Sequence, residues 1–116
     1  MKFKLIIALV ADEYTEKVID AARKDGATGA TVIKSARGEG LKPAKTFLGL
    51  TLEGQVDVLL FIVEEHMSRA ILEGIAEKGH FSDKPGAGVV FQVPIEDAMG
   101  LGSQLDAIKE EIEEQI

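Results

Sequence analysis

Four apolar segments, each the length of a strand, lie along the chain with two helical segments between them. This order restricts the fold more than any other feature of the sequence. The strands are predicted at four places: Lys2–Val10, Thr31–Ala36, Gln55–Val63 and Gly88–Val93. Each contains branched or aromatic apolar residues, as buried strands do. Pro94 is predicted to end the last strand, because proline cannot donate to a sheet ladder.

Two amphipathic helices are predicted between the strands. The first has Asp12 as its N-cap and Thr15 in its first turn, and it ends at Gly26. Its apolar positions recur at helical spacing at Tyr14, Val18, Ala21 and Ala22. The second helix ends at Gly79. Its apolar face is formed by Met67, Ala70, Ile71, Gly74 and Ile75.

The order β-α-β-β-α-β is that of an α+β, ferredoxin-like fold, with a four-stranded antiparallel sheet and both helices on one face. We predict one domain over residues 1–102 and an added C-terminal amphipathic helix over 103–116. The apolar stripe of that helix is Leu105, Ile108, Ile112 and Ile116. The helix-free face of the sheet would expose apolar side chains, and homo-oligomerisation would cover them. The C-terminal stripe is predicted to pack on the same oligomer, with binding of a partner as the alternative.

Composition limits the class of protein. The 116 residues fit one domain, and the absence of cysteine excludes disulfides and cysteine-ligated zinc. The net charge of −7 opposes a broad nucleic-acid surface. Five acids and one lysine from Asp106 onward carry −4 of that charge, which leaves a mildly acidic body at −3. The N-terminal apolar run is too short to span a membrane, so we expect a soluble, cytoplasmic protein.

Two glycine-containing turns are candidate anion sites. The stretch GATGATVIKSARGEG, from Gly26 to Gly40, ends in a Gly-x-Gly pair beside Arg37 and Lys42. The second turn is KPGAG, residues 84–88. Glycine permits close approach of a ligand to the backbone, and successive N–H groups can form a nest for an anion. The alternative for each is an ordinary turn without a ligand.

These two turns adjoin strands at opposite edges of a ferredoxin-like sheet, so KPGAG of one subunit could meet RGEG of another. Between them lies a long connection, from Gly38 to Gly54, with Pro43 and the apolar patch Phe47–Leu50. Loops of this length are usually functional or disordered, so we predict that the connection is mobile. The alternative is that the apolar patch packs permanently on its own oligomer.

No metal site and no catalytic set is predicted. Neither His66 nor His80 has a second ligand at a recognisable metal spacing, and each is interpreted as a polar helix end. No Ser-His-Asp set or pair of carboxylates stands at a glycine turn.

Taken in order, GATGATV, the Gly-x-Gly pair, the long loop, KPGAGVVFQ and VPIEDAMGL resemble the PII signalling-protein superfamily over about residues 3–101. The variant KPGAGVVFQVPIEDAMGL is more similar to divergent PII-like proteins than to the nitrogen-regulatory ones. The resemblance implies a homotrimer that binds an adenine nucleotide between subunits and docks a loop on a target. It places Gly29 and Thr31 near the adenine, and Gly38 and Gly40 at the base of the loop. Phosphate would be held from the neighbouring subunit by Gly86, Ala87 and Gly88.

The chain lacks cations that the resemblance would lead one to expect. Val89 stands where nitrogen-regulatory proteins carry a lysine, and residues 98–102 lack the arginines that follow their fourth strand. Charged contacts to phosphate are the strong ones, so these departures weaken the case for a triphosphate. Lys84 is interpreted as a partial replacement.

Two further departures concern strand two and the loop. One extra residue lies between Thr31 and Gly38, which bears on the alignment of Arg37 with the family pattern. The loop has no tyrosine, since Tyr14 in the first helix is the only one. Uridylylation and 2-oxoglutarate sensing are therefore not predicted.

We expect a non-enzymatic sensor whose effector is AMP, ADP, ATP or a related small anion. The ligand-binding residues are predicted to be Gly29, Thr31, Arg37, Gly38, Gly40, Lys84, Gly86, Ala87, Gly88 and Val89. A target, either a membrane transporter or an enzyme, would be contacted by Lys42, Phe47, Leu48 and Leu50. The alternatives are a slow nucleotide phosphohydrolase, for which no general base is evident, and a divalent-cation-tolerance-type trimer.

Overall fold

The strands and helices follow one another in the predicted order in a computed structural model of the chain. The structure describes residues 1–37, 55–84 and 87–101, with only the backbone of Arg37. Strands β1 to β4 are Phe3–Ala11, Thr31–Arg37, Gln55–Glu64 and Gly88–Ile95. Helices α1 and α2 are Thr15–Lys24 and Glu65–Lys78, and a short 3-10 turn, Asp12–Tyr14, precedes α1. The predicted loop 38–54 and C-terminal helix 103–116 lie outside the described residues.

The four strands form one antiparallel sheet in the order β2-β3-β1-β4. This is the α+β, ferredoxin-like arrangement that the sequence predicts. The first and last strands along the sheet are therefore β2 and β4, so both candidate glycine turns adjoin edge strands. Neither helix among the described residues is long and apolar enough to cross a membrane.

One face of the sheet forms the core with the two helices. Side chains alternate between faces along a strand, and in β1 every second residue, Ile6, Ala8 and Val10, is fully buried. Val18 of α1 and Ile71 of α2 belong to the same cluster. The predicted apolar positions of α1 are all buried, whereas Ala70, predicted on the inner face of α2, is exposed.

The opposite face of the sheet is also apolar, and neither α1 nor α2 packs on it. Its central part is half-buried and consists of Leu5, Ile7, Leu9, Val58, Leu60 and Ile62. Its margins are more open, with Ile33 at 48%, Phe91 at 41% and Val93 at 39% exposure. We call these nine residues the helix-free face.

Pro94 does not end β4, so that prediction is wrong. The strand continues to Ile95, and Pro94 lies opposite Lys4 of β1. Proline is tolerated here because β4 is an edge strand, whose outward side has no described partner to receive an N–H.

The start of α1 also differs from the prediction. Asp12 opens the 3-10 turn and makes no side-chain cap bond, so it is not the N-cap of α1. The helix begins at Thr15, whose hydroxyl donates to the carboxylate of Asp57 on β3 at 2.7 Å. A long-range contact therefore fixes the place where the helix starts.

Both helices end near the predicted glycines, for different reasons. Gly26 has φ +115°, and the N–H groups of Gly26 and Ala27 return to the last turn of α1 as in a Schellman motif. At the end of α2 the left-handed residue is His80, with φ +58°. Gly79 has an ordinary φ of −82°, but a side chain there would collide with the ring of Phe81.

Strand β2 contains a bulge near its end. Ile33 lies opposite Val58 and Ala36 opposite Val56, so two residues of β2 face the single residue Asp57. Ser35, one of the two, has φ +61°. The bulge accommodates one extra residue. This equals the one residue by which the stretch between Thr31 and Gly38 was predicted to exceed the family pattern.

Candidate functional site

The two predicted halves of the ligand site leave the same end of the sheet at opposite edges. Arg37 lies opposite Gln55, Val56 opposite Ala11, and Val10 opposite Gly88, so these strand ends form one row. Three strand spacings, about 14 Å, separate the β2 and β4 edges. One subunit therefore does not bring the two halves together.

Gly29 and Thr31 lie at the start of β2, at the other end of that strand from Arg37, and are exposed beside a hollow of about 320 Å³. Leu5, Leu60 and Ile62 form the rest of its lining with Ala30. Apart from its chain neighbours, no described residue has a heavy atom within 4 Å of the position that a Cβ on Gly29 would occupy. The β2 edge is thus open at Gly29, beside the apolar side chains of Leu5, Leu60 and Ile62.

At the β4 edge, Ala87 and Gly88 are buried instead. A Cβ on Gly88 would collide with the carbonyl oxygen of Leu9 and with the ring of Phe81. The absence of a side chain at Gly88 is therefore required by packing within the subunit. Replacement of Gly88 by valine, which the glycine pattern suggests as a binding test, would disturb the fold itself.

Val89 points to the other side of the sheet from Gly88. It packs against Val56, which is 3% exposed and is also contacted by Ala11 and Ala36. It offers no charge to an anion, and its contribution to a site is limited to backbone and apolar contact.

Lys84 lies at the corner where β4 begins. Its ammonium donates to the hydroxyl of Tyr14 at 2.7 Å and lies 5.2 Å from the centre of the Tyr14 ring. The hydrogen bond to Tyr14 raises the pKa of Lys84 above its ordinary value. Tyr14 is only 9% exposed, so a side chain of the core holds the cation in place. Sequence reasoning placed Tyr14 in the first helix and missed this contact.

His80 and Asp83 form a second pair at this corner. The imidazole Nδ1 of His80 lies 3.1 Å from Asp83 Oδ2, and its ring lies 5.2 Å from that of Tyr14. The hydrogen bond from His80 lowers the pKa of the Asp83 carboxyl below its usual value. The carboxylate next to Lys84 in sequence is therefore engaged by His80.

A buried carboxylate lies at the base of the other candidate turn. Asp57 is 3% exposed and accepts from the Thr15 hydroxyl and, at 3.3 Å, from the backbone N–H of Ser35 in the bulge. It connects β3 to the start of α1 and to the end of β2. The polar residue inside the apolar run QVDVLLFIV is the one sequence signal that could have pointed to it.

Three further polar groups meet where β3 passes into α2. Ligand atoms of Glu64, Glu65 and His66 lie within 4.8 Å of one another. Glu64 is 3% exposed and accepts from the backbone N–H of His66 at 2.8 Å, and also contacts its imidazole. Glu64 is thus the N-cap of α2, and this grouping was missed because its members were considered singly.

Several predicted site residues cannot be placed. Gly38, Gly40, Gly86, Lys42, Phe47, Leu48 and Leu50 lie outside the described residues, as does the side chain of Arg37. The backbone of Arg37 is described, and the bulge keeps it in register with Gln55 at the end of the sheet.

Comparisons with known proteins agree with this geometry. The family model of nitrogen regulatory protein P-II matches residues 3–114. A search of curated proteins gave no match. Among solved structures, the crystal structure of Arabidopsis thaliana PII bound to citrate is similar, with a TM-score of 0.67 and 22% identity over 86% of this chain and 83% of that one. Similarity at this identity shows the fold, and the family match covers nearly the whole sequence. The chain belongs to the nitrogen regulatory protein P-II family.

Proposed function

We propose that this chain is a PII-like signalling protein that binds an adenine nucleotide or a related small anion between subunits of a homotrimer. The observation that carries the proposal is the position of the two candidate half-sites. They lie at one end of the sheet and at opposite edges, about 14 Å apart, so a site that uses both needs two subunits. A ring of three subunits would pair each β2 edge with a neighbour's β4 edge.

The helix-free face supports the homotrimer. Apolar surface costs free energy in water, and a contiguous apolar patch usually marks an interface. Phe91 and Val93 at its margin are about two-fifths exposed, at 41% and 39%. Assembly through this face would bury them, and symmetric assembly of identical chains is the common way to do so.

The class of ligand is a small anion. The similar Arabidopsis PII structure is bound to citrate, a compact polyanion. Here Lys84 provides a fixed cation at the β4 corner. The hollow beside Gly29 and Thr31 lies further along the β2 edge, at the start of that strand, and includes the apolar side chains of Leu5, Leu60 and Ile62. An adenine nucleotide combines the two chemistries in one molecule.

The segment 38–54 is proposed as the part that contacts a target, either a transporter or an enzyme, through Lys42, Phe47, Leu48 and Leu50. Amides of Phe47 to Leu50 should exchange hydrogen quickly in the free protein and more slowly when ligand or target binds. Strong protection that does not change with ligand would mean that the segment packs permanently on its own trimer. Residues 1–102 as one domain, 103–116 as an added helix and a cytoplasmic location are part of the same proposal.

Members of the P-II family are generally signalling proteins without enzymatic activity. We propose that the present chain, too, has no enzymatic activity. Incubation of the purified protein with ATP for hours should release no phosphate beyond that of a protein-free control. Release in proportion to the protein would instead favour the phosphohydrolase alternative.

Calorimetric titration with AMP, ADP, ATP and cyclic AMP tests ligand binding, and light scattering tests the trimer. The variant Gly29→Val places a side chain in open space at the β2 edge, so we expect it to fold and to lose affinity. Its matched control is Thr28→Val, a nearly isosteric change at an exposed neighbour outside the predicted ligand set. Failure of all four nucleotides and of citrate to bind, or a monomer at micromolar concentration, would refute the proposal.

A further inference from the structure

We propose that Lys84 binds a phosphate group of the ligand, and that Tyr14 is the positioning residue that holds its ammonium at the β4 corner. This inference rests on the proposed function, because the phosphate belongs to the nucleotide proposed there. It adds the cation that recognises the phosphate and the residue that orients that cation.

The backbone places Lys84 beside the KPGAG turn. Its N–H donates to the carbonyl of His80 at 3.0 Å, and its own carbonyl accepts from the N–H of Ala87 at 3.1 Å. The carbonyl of Ala87 in turn accepts from the N–H of Ala11 at 3.2 Å. Lys84 is therefore fixed between the end of α2 and the ends of β1 and β4.

The side chain is held as well. Lysine carries three N–H donors, and the 2.7 Å bond to Tyr14 occupies one of them. Lys84 is exposed, so its remaining donors can reach an anion in solution. Because Tyr14 packs in the core with Val18, the ammonium has a rigid anchor, which lowers the entropy lost when a ligand binds.

The sequence at the β4 edge contains a single lysine or arginine that could bind an anion. From Phe81 to Ile95, Lys84 is the single residue of either type. Val89 is apolar and packs against Val56 on the helix-free side, so it cannot take over the role. A phosphate at the start of β4 that is neutralised from this edge must therefore use Lys84.

The nearby carboxylates of Glu13 and Asp83 do not prevent Lys84 from binding a phosphate. Asp83 accepts from His80 at 3.1 Å instead of pairing with Lys84. The negative charges of Glu13 and Asp83 add to the hydrogen bond with Tyr14 in raising the pKa of Lys84, so the ammonium stays charged at neutral pH. Asp83 is thus engaged by His80, and Lys84 by Tyr14.

Calorimetric titration with ATP at several salt concentrations tests the assignment. Lys84→Gln should lower affinity about tenfold or more and reduce its salt dependence, because a hydrogen bond to a charged group is lost. Tyr14→Phe keeps the ring in the core but removes the hydroxyl, and should lower the affinity for ATP about two- to tenfold. Lys84→Arg should retain most of the affinity. Lys24→Gln, the same charge change at an exposed site on α1, should have no effect.

The outcomes separate this inference from the proposed function. If the parent protein binds ATP but Lys84→Gln and Tyr14→Phe match its affinity and salt dependence, the inference is wrong and the proposed function stands. If the parent binds neither a nucleotide nor citrate, the proposed function fails, and inorganic triphosphate becomes the probe. Shifts of the Lys84 side-chain NMR signals on adding triphosphate, kept in Lys24→Gln and requiring a higher triphosphate concentration in Tyr14→Phe, would support the anion site, and their absence in the parent would overturn it.

Discussion

The buried bond between Thr15 and Asp57 gives a sharp test of how α1 and the bulge are held. Thr15→Val is nearly isosteric, so it removes the hydroxyl without opening a cavity. The Asp57 carboxylate, at 3% exposure, keeps the N–H of Ser35 at 3.3 Å as its described partner and has little access to water. The free energy of unfolding should therefore fall by about 1.5–3 kcal/mol, the usual contribution of a hydrogen bond to a charged group.

The assay is urea unfolding followed by circular dichroism. Parent and variant must be compared at one protomer concentration, because the stability of an oligomer depends on concentration. Thr28→Val is the matched control: Thr28 is exposed and lies outside the predicted ligand set, and surface substitutions of this kind usually change stability by no more than about 0.5 kcal/mol. A double-mutant cycle with Asp57→Asn isolates the pair.

A Thr15→Val variant within about 0.5 kcal/mol of the parent would refute the reasoning. It would mean that Asp57 finds another donor, or that its contact with Thr15 adds nothing to the stability of the fold. The same result for Thr28→Val and Thr15→Val would remove any special role of the buried bond.

Three other perturbations are expected to have separate readouts. Phe91→Glu puts a charge on the helix-free face and should convert the proposed trimer to monomers in light scattering; an unchanged mass would argue against assembly through that face. Gly88→Ala should lower the free energy of unfolding by about 1–3 kcal/mol because of the collision with the Leu9 carbonyl, whereas Gly29→Ala, in open space, should leave it nearly unchanged. His80→Gly suits the left-handed backbone and removes the imidazole, so an NMR titration should show the pKa of Asp83 rising toward its ordinary value; no rise would mean that His80 is not its cause.

The sequence predicted the architecture because the strands and helices carry clear periodicities. Alternation in β1 and the helical spacing of Val18 and Ala22 depend only on which side of an element faces the core, and the structure confirms them. The order of elements then leaves few sheet topologies. This is why the edge positions of β2 and β4 could be predicted before any contact was known.

The errors arise where a distant residue decides the local structure. Pro94 is compatible with β4 only because that strand lies at an edge, a property of the whole sheet. Asp12 has the composition of a cap, but the contact of Thr15 with Asp57, 42 positions away, sets the helix start. No local pattern contains either fact.

The candidate site was predicted in outline and not in its chemistry. The glycine turns identified the two corners, yet the side chains found there, Tyr14 beside Lys84 and Asp57 below the bulge, come from segments that were assigned to the core. At Gly88 the residue type was noticed, but its packing against Phe81 and the Leu9 carbonyl could not be read from the sequence, and its role in ligand binding stays a prediction.

The bulge in β2 has a consequence for the evolution of chain length. Lys34 and Ser35 together face Asp57, so deletion of one of them would restore one-to-one pairing and leave Arg37 opposite Gln55. A deletion of one residue at this point therefore leaves the position of Arg37, at the base of the following segment, unchanged. Elsewhere in β2 the same change would turn inward-facing side chains outward, because side chains alternate between faces with a period of two. Homologous chains can thus differ by one residue here and still direct the segment after β2 from the same corner of the sheet.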